Sequence, residues 1–103
     1  MIVKDFLKNI NNIKFKSTNS IIRNHFICKD GFKISIQASM MHYCWPKINL
    51  DNGEYECVEV ACLPQEELEE FYLDKMDAIY IYEFVPIEEV ENLINKHNDK
   101  VIH

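Results

Sequence analysis

Eleven residues, Gln37 to Lys47 (QASMMHYCWPK), gather an amide, a hydroxyl, an imidazole, a phenol, a thiol, an indole and an ammonium. That mixture suits a ligand site where aromatic faces stack on a base or another ring while basic groups meet phosphate. In such a site Tyr43 and Trp45 stack, Arg23 and Lys47 hold phosphate, and Gln37, Ser39 and His42 hydrogen-bond. Arg23 joins because a hairpin at Asp30-Gly31 brings its strand, 21–28, alongside the strand 32–38. Two other readings fit the same residues. Tyr43 and Trp45 could cap the open end of the core, or they could form a protein-binding or subunit interface, where such residues dominate the energetics.

Other chemistries find less support. The four cysteines, at 28, 44, 57 and 62, form no Cys-x-x-Cys pair, and His42-x-Cys44 and Cys57-x4-Cys62 match no strong zinc spacing. No metal and no cofactor is expected, and reduced thiols are, since the chain shows no export signal. A Cys44 nucleophile beside His42 lacks a Gly-rich oxyanion segment. The paired carboxylates (Glu66-Glu67, Glu69-Glu70, Glu88-Glu89) fall in helical runs that read as solvated faces, and only Gly31 and Gly53 are present to cradle a phosphate. No catalytic residues are assigned, and the protein is not expected to be an enzyme.

These groups must be held by a modest set of elements. Ile2, Phe6, Leu7 and Ile10 share a helical face, which predicts a helix over 2–12. The polar stretch 14–20 reads as a loop and the β-branched stretch 21–28 as a strand. After the turn, Phe32, Ile34, Ile36 and Ala38 alternate with Lys33, Ser35 and Gln37, so one set packs inward and the other meets water or a ligand. Residues 39–54 form a long connection broken by Pro46 and Asn52-Gly53. Strands are expected at 55–62 and 78–84, a short acidic helix after Pro64, and a last helix after Pro86. The expected fold is a single α+β domain over 1–103. It has a small four-stranded, mainly antiparallel sheet with helices packed on one face.

With 103 residues, 48% apolar and 27% charged, the chain has the composition of an ordinary globular domain. Its longest apolar run, Ala78 to Tyr82, is far too short to span a membrane, and the opening MIVKDFLKNI does not read as a secretory signal. The net charge of −6 is unevenly placed: residues 1–50 carry eight basic groups against two acids, and residues 51–103 carry fifteen acids against three lysines. A broad DNA-binding or anionic-membrane surface is excluded, whereas one small phosphate-bearing ligand in the basic half is not.

Several stretches together resemble a group of small proteins from phages, prophages and other mobile elements. They are Ile22-Arg23-Asn24-His25, Cys28-Lys29-Asp30-Gly31-Phe32, Ser35-Ile36-Gln37-Ala38-Ser39, and His42-Tyr43-Cys44-Trp45-Pro46-Lys47. Val58-Glu59-Val60, Tyr82-Glu83-Phe84-Val85-Pro86 and Lys96-His97 follow in order, so the resemblance covers roughly 21–98. The chain departs from the pattern with Lys47 for Arg, Glu83 for Gly and Asn98-Asp99 for Gly-Gly, and the first departure removes a bidentate phosphate fork. The resemblance implies a role in countering host defence. Combined with the loop chemistry, it leads to the expectation of a cytoplasmic anti-defence protein in a bacterial host. Such a protein would sequester a small nucleotide-derived immune signal without cleaving it, as a homo-oligomer that completes the site between subunits. The alternative expectation is an acidic inhibitor that occupies the basic channel of a host defence nuclease, such as a CRISPR effector, through the stretch from Glu66 to Asp77.

Overall fold

Hydrophobic periodicity gives way to strand alternation within the first fifteen residues of the structure, a computed structural model that describes residues 1–99. Helix α1 (Ile2–Lys8) buries Val3 and Leu7, and a 3₁₀ turn over Ile10–Asn12 follows it. The chain then forms strands β1 (Ile13–Lys16) and β2 (Ile21–Arg23), which pair antiparallel as a two-stranded ribbon. Strands β3 (Phe26–Ile27), β4 (Lys33–Gln37), β5 (Cys57–Cys62), β6 (Tyr72–Met76) and β7 (Ile79–Pro86) build the main sheet in the order β3-β4-β5-β7-β6. Every pairing is antiparallel. Helix α2 (Ile87–Asn98) closes the described chain.

The fold is α+β as expected, with five strands in the main sheet rather than four and a separate ribbon beside it. The differences have local causes. Lys14 to Lys16 lie in a strand, not a loop, because the ribbon pairs them with β2 while leaving their side chains in water. The stretch 21–28 is two strands, since Asn24 N–H turns away to the Asn12 carbonyl and β2 leaves the main sheet for the ribbon. The acidic segment Glu66–Phe71 is a 3₁₀ helix. Strand β6 has no buried side chain, so its alternation leaves no apolar signature; it forms by hairpin with β7 through Asp77, whose φ of 56° suits an Asp turn.

The core lies where Ile36, Val60 and Tyr82 stand in register across β4, β5 and β7. They join Val3 and Leu7 of α1 and Val90, Leu93 and Ile94 of α2 in one buried cluster. The other face of the sheet carries the row Ser35, Ala61 and Ile81. Across the molecule, His97 of α2 reaches the hairpin turn between β3 and β4. Its Nδ1 lies 2.7 Å from Asp30 Oδ2, and Phe32 stacks on its ring at 3.8 Å. Asp30 Oδ1 meanwhile accepts the Phe32 N–H within the turn.

Candidate functional site

The loop after β4 is not a free excursion. Around Tyr43–Trp45 it lies against the sheet, tied by a single antiparallel bridge between Trp45 and Cys57. Trp45 N–H donates to the Cys57 carbonyl (3.1 Å), and the Trp45 carbonyl accepts from Glu56 N–H (2.8 Å). Tyr43 N–H donates to Glu59 Oε1 (3.2 Å), and its carbonyl accepts from Phe84 N–H (3.0 Å). Strand-like alternation follows: Cys44 is buried, and its neighbours Tyr43 (42% exposed) and Trp45 (56% exposed) face water.

Phe84 offers its N–H to the loop because of a bulge. Between the pairs Val60–Tyr82 and Val58–Val85, β5 has one residue and β7 has two. Phe84, with φ of 49°, is at this bulge, and its ring meets Tyr43 edge-on at 6.0 Å. A positive φ at a bulky residue is a strained arrangement, and here it joins loop to sheet. Neither Phe84 nor Glu59 was distinguishable by type or spacing in the sequence, since each is an ordinary strand residue. Lys47 Nζ lies 4.9 Å from the Tyr43 ring centroid, a cation–π contact at the surface.

The expected site residues divide into two groups. His42, Tyr43, Trp45 and Lys47 come together on the loop, three of them exposed and His42 half-buried. Arg23, Gln37 and Ser39 lie beneath and face the protein. Arg23 is only 3% exposed, and its guanidinium donates to the carbonyls of Ala38 (2.7 Å, Nη1) and Leu7 (3.2 Å, Nε). Burial pulls its pKa below the usual arginine value, with the nearby Tyr55 hydroxyl opposing that shift. The Gln37 amide pairs with the Arg23 backbone and with Ser35 Oγ. The expectation that Arg23 holds phosphate and Gln37 meets a ligand is therefore revised: their polar groups satisfy buried backbone.

Ser39 and His42 form a 2.6 Å contact between Oγ and Nδ1. Ser39 is fully buried and its Oγ also accepts the Met41 N–H, so the pair shapes the turn and offers no accessible hydroxyl nucleophile. Burial lowers the His42 pKa, Glu59 opposes that shift, and Arg23 and Lys47 reinforce it. The Cys44 thiol donates to the Ser39 carbonyl and is pushed up by burial, the reverse of what an activated thiolate needs. Burial raises the Cys28 thiol to about 11 and that of Cys62 to about 12. Among the described residues no three His, Cys, Asp or Glu side chains gather as a metal set, and no helix is long and apolar enough to cross a membrane.

Compared with protein-family models, with curated proteins and with solved structures, the chain matches none. The functional reading therefore rests on the geometry of the loop.

Proposed function

We propose that the protein is a non-enzymatic binding protein that captures a small nucleotide-derived signal on the Tyr43–Lys47 loop. It would act for a phage or prophage in the cytoplasm of a bacterial host, blunting a defence response by sequestration without cleavage. The observation that carries this reading is the pair of aromatic faces, Tyr43 and Trp45, held outward by backbone bonds to β5 and β7 with Lys47 above the Tyr43 ring. A backbone held in place in advance loses little conformational entropy on binding, and the lysine supplies charge for a phosphate. Arg23, Gln37 and Ser39 serve as the floor that holds the loop. The exposed rim also includes Met41 and Ile48, apolar surface of the kind a second copy would cover, so a homo-oligomer that completes the site is part of the proposal.

A second reading draws on the acidic side of the molecule, where Glu66, Glu69, Glu70, Asp74 and Asp77 are all exposed. That surface could occupy the basic channel of a defence nuclease. Co-purification with host nucleases at low and high salt tests it, because such a complex weakens as salt rises. For the first reading, calorimetry against cyclic and linear nucleotides should find one that binds and that mass spectrometry recovers unchanged. Absence of binding across the panel, with anti-defence activity intact in Tyr43→Ala, would overturn it.

A further inference from the structure

A cavity of about 770 Å³ opens between the 3₁₀ helix and the β6–β7 hairpin. Its lining combines Tyr72, Tyr80 and Tyr82 with Gln65, Glu66 and Glu69. The three rings form one aromatic wall: Tyr72 lies 5.1 Å from Tyr80 and 6.4 Å from Tyr82, and Tyr80 lies 6.4 Å from Tyr82. Tyr82 is 1% exposed, and its hydroxyl accepts the Gln65 N–H at 2.9 Å. Among the described residues the hydrogen of that hydroxyl has no acceptor. Nearby Glu67 is taken by Lys96, whereas neither Glu66 nor Glu69 has an ion pair among the described residues.

We infer that this cavity receives an arginine side chain from an extended, basic segment of a protein partner. The ring faces carry negative quadrupole charge and the two carboxylates carry full charge, so the lining attracts a cation and repels a phosphate. A guanidinium fits best, because it is planar enough to stack on a tyrosine and has a fork that bonds a carboxylate through two N–H groups. The volume exceeds what one guanidinium needs and leaves room for the segment that bears it. Glu70 is exposed on the same 3₁₀ helix as Glu66 and Glu69, and β6 is the edge strand of the sheet, so an extended basic segment meets opposite charge from the helix, while Lys75 of β6, in register with Tyr80, confines that attraction to the helix side. The inference gives the acidic-surface reading a partner chemistry and rests on it only for the protein class of that partner. A nuclease target can fail in co-purification while the cavity still takes arginine.

The test uses the full chain and two capped peptides, Ala-Arg-Ala-Arg-Ala and the same peptide with citrulline, which keeps the shape and removes the charge. Calorimetry gives affinity, and NMR follows the tyrosine ring signals. The arginine peptide should bind at least tenfold more tightly than the citrulline peptide and shift the Tyr72, Tyr80 and Tyr82 rings. Replacing both exposed carboxylates, Glu66→Gln with Glu69→Gln, should weaken it about tenfold, whereas Glu88→Gln with Glu89→Gln on α2 should change it little. Equal binding of the two peptides, no binding of either, or equal loss in both double variants would overturn the inference.

Discussion

Gln37 completes the backbone of Arg23. The Arg23 N–H donates to Gln37 Oε1 at 2.8 Å, and Gln37 Nε2 donates to the Arg23 carbonyl at 2.9 Å. A side-chain amide thus replaces a neighbouring strand at the place where β2 has left the main sheet for the ribbon. Replacing Gln37 with Ala strands both backbone groups in a buried site and should cost about 1–3 kcal/mol. Chemical denaturation checks this. Gln37→Glu should be worse than Gln37→Asn at neutral pH, since a carboxylate cannot donate to the Arg23 carbonyl.

The two glycines should respond differently to alanine. Gly31 and Gly53 both have positive φ, 90° and 70°, but a Cβ at Gly31 meets open space. At Gly53 it would lie 2.8 Å from the Lys4 carbonyl oxygen, on the backbone of α1. Gly31→Ala should therefore cost about 1 kcal/mol from the backbone alone. Gly53→Ala should cost about 3 kcal/mol, because α1 must also shift. Paired thermal melts give the ranking.

Acid should weaken the fold partly through His42. Its folded pKa is lowered, chiefly by burial, so the unfolded chain binds more protons than the folded chain once pH falls below the ordinary histidine value of about 6.5. The contribution is full above that value and is lost progressively as pH falls toward the lowered one. Melts from pH 7.5 to 5 should show a decline that is smaller in His42→Gln. Identical slopes for the two proteins would remove His42 from the explanation.

What the sequence disclosed depended on whether each element has a buried face. The Asp30-Gly31 hairpin and β5 were legible, because Ile34, Ile36, Val58 and Val60 alternate cleanly and the turn chemistry is local. Helix α2 was legible from Pro86 and its first-turn acids. Strand β6 was not, since all its side chains are exposed and only the pairing with β7 defines it. In the loop, residue types indicated where an aromatic and basic surface would lie, and Tyr43, Trp45 and Lys47 are there. They did not reveal that Arg23 points down to backbone carbonyls, because that follows from β2 leaving the sheet, a tertiary event without a local signal.

Trp45 is the only tryptophan, so its fluorescence reports on the proposed site directly. Titration of the purified protein with a panel of cyclic and linear nucleotides should give a saturable change in emission with one class of ligand. Tyr43→Ala should abolish that change, and Lys47→Ala should weaken binding about tenfold. Emission unmoved by every nucleotide, or binding unaltered by Tyr43→Ala, would contradict the assignment of this loop as the capture site.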